Sequence, residues 1–273
     1  MKTEKVFWEI DGLRIVGETF LPSHPEPPFP ALILCHGIPA KVKNPDDGGY
    51  PALAERFGQL GFEVLIFNFR GTGESEGDFD MLGWARDLEG ALNFIRSDPR
   101  VDPWKIFLMG FSAGGAVSIY VAAHHPEVAG LIACAAPAEF GDILTPQGGS
   151  DFLHYARDVG IIRDPRFPPV VEEWRKNFER IQPLRWVERI PPRPFLLLHG
   201  TQDEVVPADH GRRLYEKSGG KAELVLIEGA GHRLRLDEAA MNRAAQWLIG
   251  ASMEKGNGPG RSEETETSMN SLE

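Results

Sequence analysis

Six short, uninterrupted apolar segments constrain the fold of this chain more than any other feature of its sequence. Strands buried on both faces have this pattern, because each side chain enters a packed layer whichever way it points. Amphipathic helical patterns separate most of these segments, and this alternation predicts βαβ units and a parallel sheet covered by helices on both faces. The apolar segments are residues 31–35, 63–69, 105–109, 130–135, 195–198 and 223–227.

The N-terminal part of the chain has a different pattern. Residues 4–10 and 13–21 alternate polar and apolar side chains around Asp11–Gly12, which predicts an antiparallel hairpin. Together with the six apolar segments, the hairpin gives an α/β fold with an eight-stranded, mostly parallel sheet. The N-terminus has no continuous apolar stretch typical of a signal peptide, so the expected location is cytoplasmic.

Composition and charge exclude several classes of protein. A net charge of −11 leaves no overall positive surface for nucleic acid, and no segment is long and apolar enough to span a membrane. The two cysteines, Cys35 and Cys134, lie inside apolar segments and are expected to be buried thiols. Metal-binding and phosphate-binding motifs are absent from the sequence, so we expect neither a metal nor a cofactor. The oligomeric state is not predictable from these features.

The spacing of the strands predicts the domain organisation. Nearly sixty residues separate the fourth and fifth apolar segments, more than one crossover helix needs, and they are rich in aromatic side chains. We expect residues 138–190 to form a small helical cap, although one crossover helix with decoration is the alternative. Residues 1–137 and 191–251 then form the core, and residues 252–273, which are almost devoid of apolar side chains, form a disordered tail.

The sequence Gly110–Phe111–Ser112–Ala113–Gly114 directly follows a buried strand and opens a helix of small residues. This is the context of a nucleophile elbow, in which glycines permit a tight turn and the serine lies at a helix N-terminus. We therefore predict that Ser112 is a catalytic nucleophile rather than a structural turn residue.

A serine nucleophile needs a base and a carboxylate that orients the base. Of the eight histidines, His232 is the expected base because it lies in a glycine-rich loop after the last strand. Asp203, just after the seventh strand, is the expected acid, and Glu139, after the sixth strand, is its rival. The oxyanion hole is expected to use the backbone N–H groups of Ala113 and Ile38.

The chain resembles the α/β-hydrolase superfamily over residues 4–250. The resemblance is carried by His36–Gly37 and by residues 67–75, 100–115, 199–207 and 229–232, in the superfamily's order. Residues 100–115 are similar to dienelactone-hydrolase and prolyl-oligopeptidase-like branches, and residues 70–75 to serine esterases. The resemblance implies Ser–His–Asp hydrolysis through an acyl-enzyme, without a cofactor.

These residues predict a serine hydrolase of small or medium carboxylic esters, with a small-molecule ester or amide as substrate. A serine aminopeptidase or amidase is the alternative, and Glu139 with Asp142 is the only acidic pair that could bind a free amine. A non-catalytic binding relative is a third reading. Four aromatic residues are expected to line an apolar substrate pocket, although the last two, spaced i, i+4, could instead pack as core. These residues are Phe111, Phe140, Trp174 and Phe178.

Overall fold

The computed structural model describes residues 1–41 and 47–253, apart from the side chain of Asp142. Its eight strands form one sheet in the order β1-β2-β4-β3-β5-β6-β7-β8. The pairs β1–β2 and β2–β4 are antiparallel and all other neighbours are parallel, so the predicted fold class is confirmed. The strands are β1 (Lys2–Ile10), β2 (Leu13–Leu21), β3 (Phe29–Cys35), β4 (Glu63–Phe67), β5 (Val101–Phe111), β6 (Val128–Cys134), β7 (Phe195–Gly200) and β8 (Glu223–Ile227).

The turn between β1 and β2 follows from its two residues. Asp11 and Gly12 both have positive φ, at 54° and 72°, which a two-residue hairpin turn of the primed type requires. The register then places Ile10 opposite Leu13 and Lys2 opposite Leu21.

Helices cover both faces of the sheet. Ala31, Ile33 and Cys35 of β3 belong to one hydrophobic cluster, which includes side chains of α2 and α3. Leu32 and Leu34 of the same strand belong to the other, with side chains of α1 and α7. This alternation explains why the strand is apolar at every position. The helices are α1 (Gly49–Gly58), α2 (Met81–Arg96), α3 (Ala113–His124), α4 (Pro146–Asp158), α5 (Val171–Ile181), α6 (Asp209–Lys217) and α7 (Glu238–Met253).

The long connection between β6 and β7 contains two helices, α4 and α5, and three short 3₁₀ segments. α4 begins after Thr145, whose side chain accepts a hydrogen bond from the N–H of Gly148, and has Pro146 in its first turn. α5 packs against α2 through a buried face. The division of the chain into core and cap remains a prediction, but this segment is more than a single crossover helix.

The last helix sets where the predicted tail can begin. α7 continues to Met253, so residues 252 and 253 are helical, and residues 254–273 of the predicted tail lie outside the described part. Within residues 1–41 and 47–253, no helix has the length and hydropathy required to cross a bilayer.

Candidate active site

Ser112 lies between the end of β5 and the start of α3, at the edge where the parallel strands end. Its φ of 53° and ψ of −123° are strained for a residue with a side chain. The Ser112 N–H donates to the carbonyl of Cys134 at 2.8 Å, which ties the turn to the neighbouring strand β6. The turn therefore holds the serine side chain clear of the strand, as a nucleophile elbow does.

The glycines around Ser112 are required by close packing. A Cβ on Gly114 would lie 2.3 Å from the carbonyl oxygen of His36, and a Cβ on Gly110 would lie 2.5 Å from that of Gly114. A Cβ on Gly115 would lie 2.9 Å from the Cβ of Ala136. Any side chain at these positions would push the helix away from the sheet and displace the serine.

His232 and Asp203 are paired in the structure. His232 Nδ1 lies 2.8 Å from Asp203 Oδ2, so the ring donates its Nδ1–H to the carboxylate and Nε2 is left for another partner. Asp203 Oδ1 accepts from the backbone N–H groups of Val205 and Val206 at 2.9 and 2.8 Å. A further bond, from Gln202 N–H to the carbonyl of Ala230, joins the two loops that carry the pair.

The Asp203 carboxyl is buried, which by itself would raise its pKa. Hydrogen bonds from His199 and His232 and from the N–H of Val206 outweigh burial, and the pKa of Asp203 lies well below its usual range. The group is therefore a carboxylate at any pH at which the protein works.

A second histidine supports this carboxylate, and the sequence analysis did not single it out. His199, the penultimate residue of β7, donates its Nε2–H to the carbonyl of Val206 at 2.7 Å. The same nitrogen lies 3.5 Å from Asp203 Oδ2. His199 thus holds the loop that presents Asp203. Its position before a glycine at a strand end was the available signal.

Glu139, the rival acid, has a different partner. Its carboxylate lies 2.7 Å from Arg213 of α6, and this ion pair is partly exposed. The structure brings Asp203, and not Glu139, to His232. Asp142, the other half of the acidic pair considered for amine binding, lies outside the described side chains.

The two expected oxyanion donors lie on either side of the serine. Ala113 is the first residue of α3, where a backbone N–H has no partner inside the helix. Ile38 lies in the loop after β3, which packs closely on the elbow: a Cβ on Gly37 would be 3.0 Å from that of Ser112. The assignment of these two N–H groups remains a prediction.

His36 braces that loop. Its Nδ1–H donates to the carbonyl of Gly37 at 2.7 Å, and its Nε2 accepts from the N–H of Phe69 at 3.2 Å. Burial lowers the pKa of His36 to about 4, so the ring is neutral at pH 7. It joins the loops after β3 and β4 at the edge of the sheet.

Ser112 and His232 line one cavity of about 660 Å³. Its walls come from the loops after β3, β4 and β5, from the end of α4, and from the loop that carries His232. A cavity of this size accommodates a small-molecule substrate. Eight aliphatic, proline, tyrosine or phenylalanine residues contribute to its lining: Ile38, Pro39, Ala40, Tyr50, Phe111, Val159, Ile161 and Leu234.

Only one of the four predicted pocket aromatics lines this cavity, and it is Phe111. Trp174 and Phe178 are 2% and 1% exposed and pack in the core, and Trp174 Nε1–H donates to the carbonyl of Phe79. Phe140 packs on Phe178, with ring centroids 5.3 Å apart. The structure places these three side chains away from the cavity, because α5 turns its aromatic face inward onto α2. The long connection between β6 and β7 lines the cavity instead through the end of α4 and the residues that follow it.

Within the described part of the chain, no group of three His, Cys, Asp or Glu side chains could hold a metal ion. This edge of the sheet brings together a serine at a strained turn, a histidine that is hydrogen-bonded to a carboxylate, and the backbone N–H groups of a helix N-terminus. Together with the sheet topology, this arrangement has the features of the α/β-hydrolase fold.

Comparison with known proteins agrees with the fold. Residues 26–154 match the family described as serine aminopeptidase, S33. The crystal structure of the α/β-hydrolase GrgF from Penicillium superposes with a TM-score of 0.73 at 23% identity, covering 92% of this chain and 99% of that one. Est1E from Butyrivibrio proteoclasticus superposes with a TM-score of 0.64 at 18% identity, over 90% and 96% of the two chains. The chain has the α/β-hydrolase fold.

Among curated sequences, the thiohydrolase aneE of Aspergillus aculeatus is 29% identical over 223 residues, which are 79% of this chain and 62% of aneE. GrgF is described there as a polyketide transferase and is 25% identical over 293 residues, covering 90% of this chain and 96% of GrgF. The match of residues 26–154 to the S33 family supports a hydrolase.

Proposed function

We propose that this protein is a serine hydrolase that cleaves carboxylic esters with small to medium acyl groups through Ser112, His232 and Asp203. The observation that carries the proposal is that a strained elbow serine and a carboxylate-paired histidine line one cavity. Strain at a non-glycine residue is retained where function requires it. The thiohydrolase aneE, a relative of this chain, supports acyl chemistry at such a site.

In the proposed reaction, His232 Nε2 accepts the proton of Ser112 Oγ as the oxygen attacks the ester carbonyl carbon. The N–H groups of Ile38 and Ala113 donate to the oxyanion, and Asp203 stabilises the imidazolium. The C–O bond to the alcohol then breaks, and the alcohol leaves with the proton from His232. Water, deprotonated by His232, attacks the acyl-enzyme and releases the carboxylic acid and the free serine.

Covalent labelling tests the nucleophile. A fluorophosphonate probe should add one adduct to the wild-type protein, as measured by intact mass, and none to Ser112→Ala. Ser97→Ala, at the exposed end of α2, is the control and should label like wild type. Labelling of Ser112→Ala at the wild-type rate would disprove the assignment.

The match to the serine aminopeptidase family favours a second candidate, hydrolysis of a peptide or amide. An aminopeptidase needs a free carboxylate for the substrate amine. In the described residues, both carboxylates that line the cavity, Asp47 and Asp158, are ion-paired. This pairing favours an ester as the substrate over a peptide with a free amino terminus.

Nitrophenyl esters of increasing chain length, assayed beside aminoacyl nitroanilides, separate the two candidates. We expect ester hydrolysis to exceed nitroanilide hydrolysis and to depend on Ser112. Nitroanilide hydrolysis with the higher kcat/KM would favour the aminopeptidase. Failure to turn over either series, with no fluorophosphonate adduct, would favour the non-catalytic relative.

A further inference from the structure

The cavity that contains Ser112 has a basic rim on an acidic protein. Six ionised side chains of the described residues line it, four basic and two acidic, an excess of two positive charges. The whole chain carries a net charge of −11. The sign of the local charge is therefore opposite to that of the protein. The six residues are Lys41, Asp47, Asp158, Arg163, Arg233 and Arg235.

Two of the basic residues are neutralised. Arg235 makes a two-pronged ion pair with Asp47, and Lys41 Nζ lies 3.2 Å from Asp158 Oδ2. The hydrogen bonds from Arg235, together with the charge of nearby Arg233, hold the pKa of Asp47 at about 2. Both acids are thus committed to partners in the protein.

The guanidinium groups of the other two basic residues have no carboxylate oxygen within 4 Å among residues 1–41 and 47–253, although the backbone N–H of Arg163 donates to Asp78. Arg163 donates to backbone carbonyls after β4, including those of Gly71 and Gly73 at 3.0 and 3.1 Å. These bonds hold the guanidinium in place but do not neutralise its positive charge, because carbonyl oxygens carry no net charge. Arg233 is exposed, and no hydrogen bond from its side chain is found in the described part of the chain.

Arg233 is therefore the basic group that is available to a ligand, and it directly follows His232. A guanidinium presents paired N–H donors that match one carboxylate, and such charge-assisted bonds are the stronger ones. The fixed charge of Arg163 adds to the positive potential that draws an anion into the cleft. A cationic amine would meet repulsion from both.

We propose that the substrate is an ester that carries a carboxylate, and that Arg233 binds this carboxylate while Ser112 attacks the ester carbonyl. Arg233 is then a specificity-determining residue. The inference rests on the proposed esterase function and narrows its substrate class. A single arginine fork suits a carboxylate, whereas a phosphate group has more acceptor oxygens than one fork can satisfy.

Matched substrates test the proposal. Mono-4-nitrophenyl glutarate has a carboxylate where 4-nitrophenyl 5-methylhexanoate has a neutral isopropyl group of similar shape, and 4-nitrophenyl 5-aminopentanoate is the cationic counterpart. A second pair places the charge on the leaving group, as butyrate esters of 5-hydroxy-2-nitrobenzoic acid and of 3-methyl-4-nitrophenol. We expect one of the anionic esters to exceed its neutral match by about 5- to 20-fold in kcat/KM.

Variants locate the preference. Arg233→Gln should lower the ratio of kcat/KM for the anionic ester to that for the neutral ester to about one, mainly by raising KM for the anionic ester. Arg233→Lys should keep part of the preference. Arg212→Gln is the matched control, because Arg212 is exposed on α6 and does not line the cavity. The wild-type ratio should also fall with added salt, because the interaction is between charges.

The outcomes separate this inference from the proposed function. Equal kcat/KM for anionic and neutral esters in both pairs, or a preference unchanged in Arg233→Gln, would overturn the inference and leave the esterase intact. A preference for the cationic ester would overturn it as well. Lack of hydrolysis of all the esters would overturn the proposed function itself.

Discussion

Truncation of Phe178 tests whether the aromatic face of α5 is core or pocket. The ring is 1% exposed and lies among four others, with centroid distances of 5.1 Å to Trp174, 5.3 Å to Phe140, 5.5 Å to Phe152 and 5.9 Å to Phe79. Phe178→Ala would leave a cavity that these rings cannot fill without losing their contacts with one another. Such truncations cost about 3–5 kcal/mol of the free energy of unfolding.

That loss is a large fraction of the ~5–15 kcal/mol by which domains are usually stable. It corresponds to a fall in melting temperature of about 6–20 °C for a chain of this size. Urea unfolding followed by circular dichroism should show the midpoint lowered by about 1–2 M. Activity on nitrophenyl esters should keep its dependence on acyl-chain length, because the ring does not line the cavity.

Two controls make the result interpretable. Trp104→Ala, which truncates a tryptophan that is 46% exposed, should cost less than about 1 kcal/mol. Phe178→Leu should recover much of the stability, because it keeps most of the buried volume. A small fall in stability together with an altered chain-length profile would refute the assignment of this face to the core.

Three further predictions follow from the site and the sheet. Asp203→Asn should lower kcat by about 10³- to 10⁴-fold, whereas Glu139→Gln should be nearly normal; greater damage from Glu139→Gln would move the acid to the loop after β6. Glu63, whose carboxylate oxygens lack a hydrogen-bond partner in the described residues, has its pKa raised by burial and by Asp98 from 4.5 to about 7. Between these two pH values the folded protein keeps a proton on Glu63 that the unfolded chain releases. The free energy of unfolding of the protein therefore falls as pH rises from 4.5 through 7. The free energy of unfolding of Glu63→Gln, measured relative to wild type, should therefore rise by about 2–3 kcal/mol from pH 5 to pH 8. The same difference between variant and wild type at both pH values would contradict this prediction. Gly114→Ala should abolish activity and destabilise the elbow, whereas Gly250→Ala, with open space around it in α7, should be neutral or slightly stabilising, as thermal melts and ester assays would reveal.

Several features of the fold were accessible from the sequence because their causes are local. A strand covered on both faces is apolar at every position, so residues 31–35 of β3 were identifiable without knowledge of their neighbours. The turn at Asp11–Gly12 requires two positive φ angles, and aspartate and glycine are residues that adopt such angles more readily than most. The same holds for the elbow, where glycines around Ser112 are needed for the close approach of strand and helix.

The partners of charged and aromatic side chains were decided by the tertiary structure. The i, i+4 spacing of Trp174 and Phe178 places them on one helical face, but only the packing of α5 on α2 turns that face away from the cavity. Asp203 and Glu139 both follow strands, and their different partners depend on which loops meet across the sheet edge.

The charge of the cavity rim has the same origin. Arg233 and Arg235 are two residues apart, yet Asp47 neutralises one and leaves the other exposed to the cleft. Asp47 is distant from Arg235 in the sequence, so no local sequence pattern predicts that the two residues form an ion pair. Local patterns reflect the conformations that a residue itself adopts, whereas pairing across the cleft depends on contacts made only when the loops from separate strands come together.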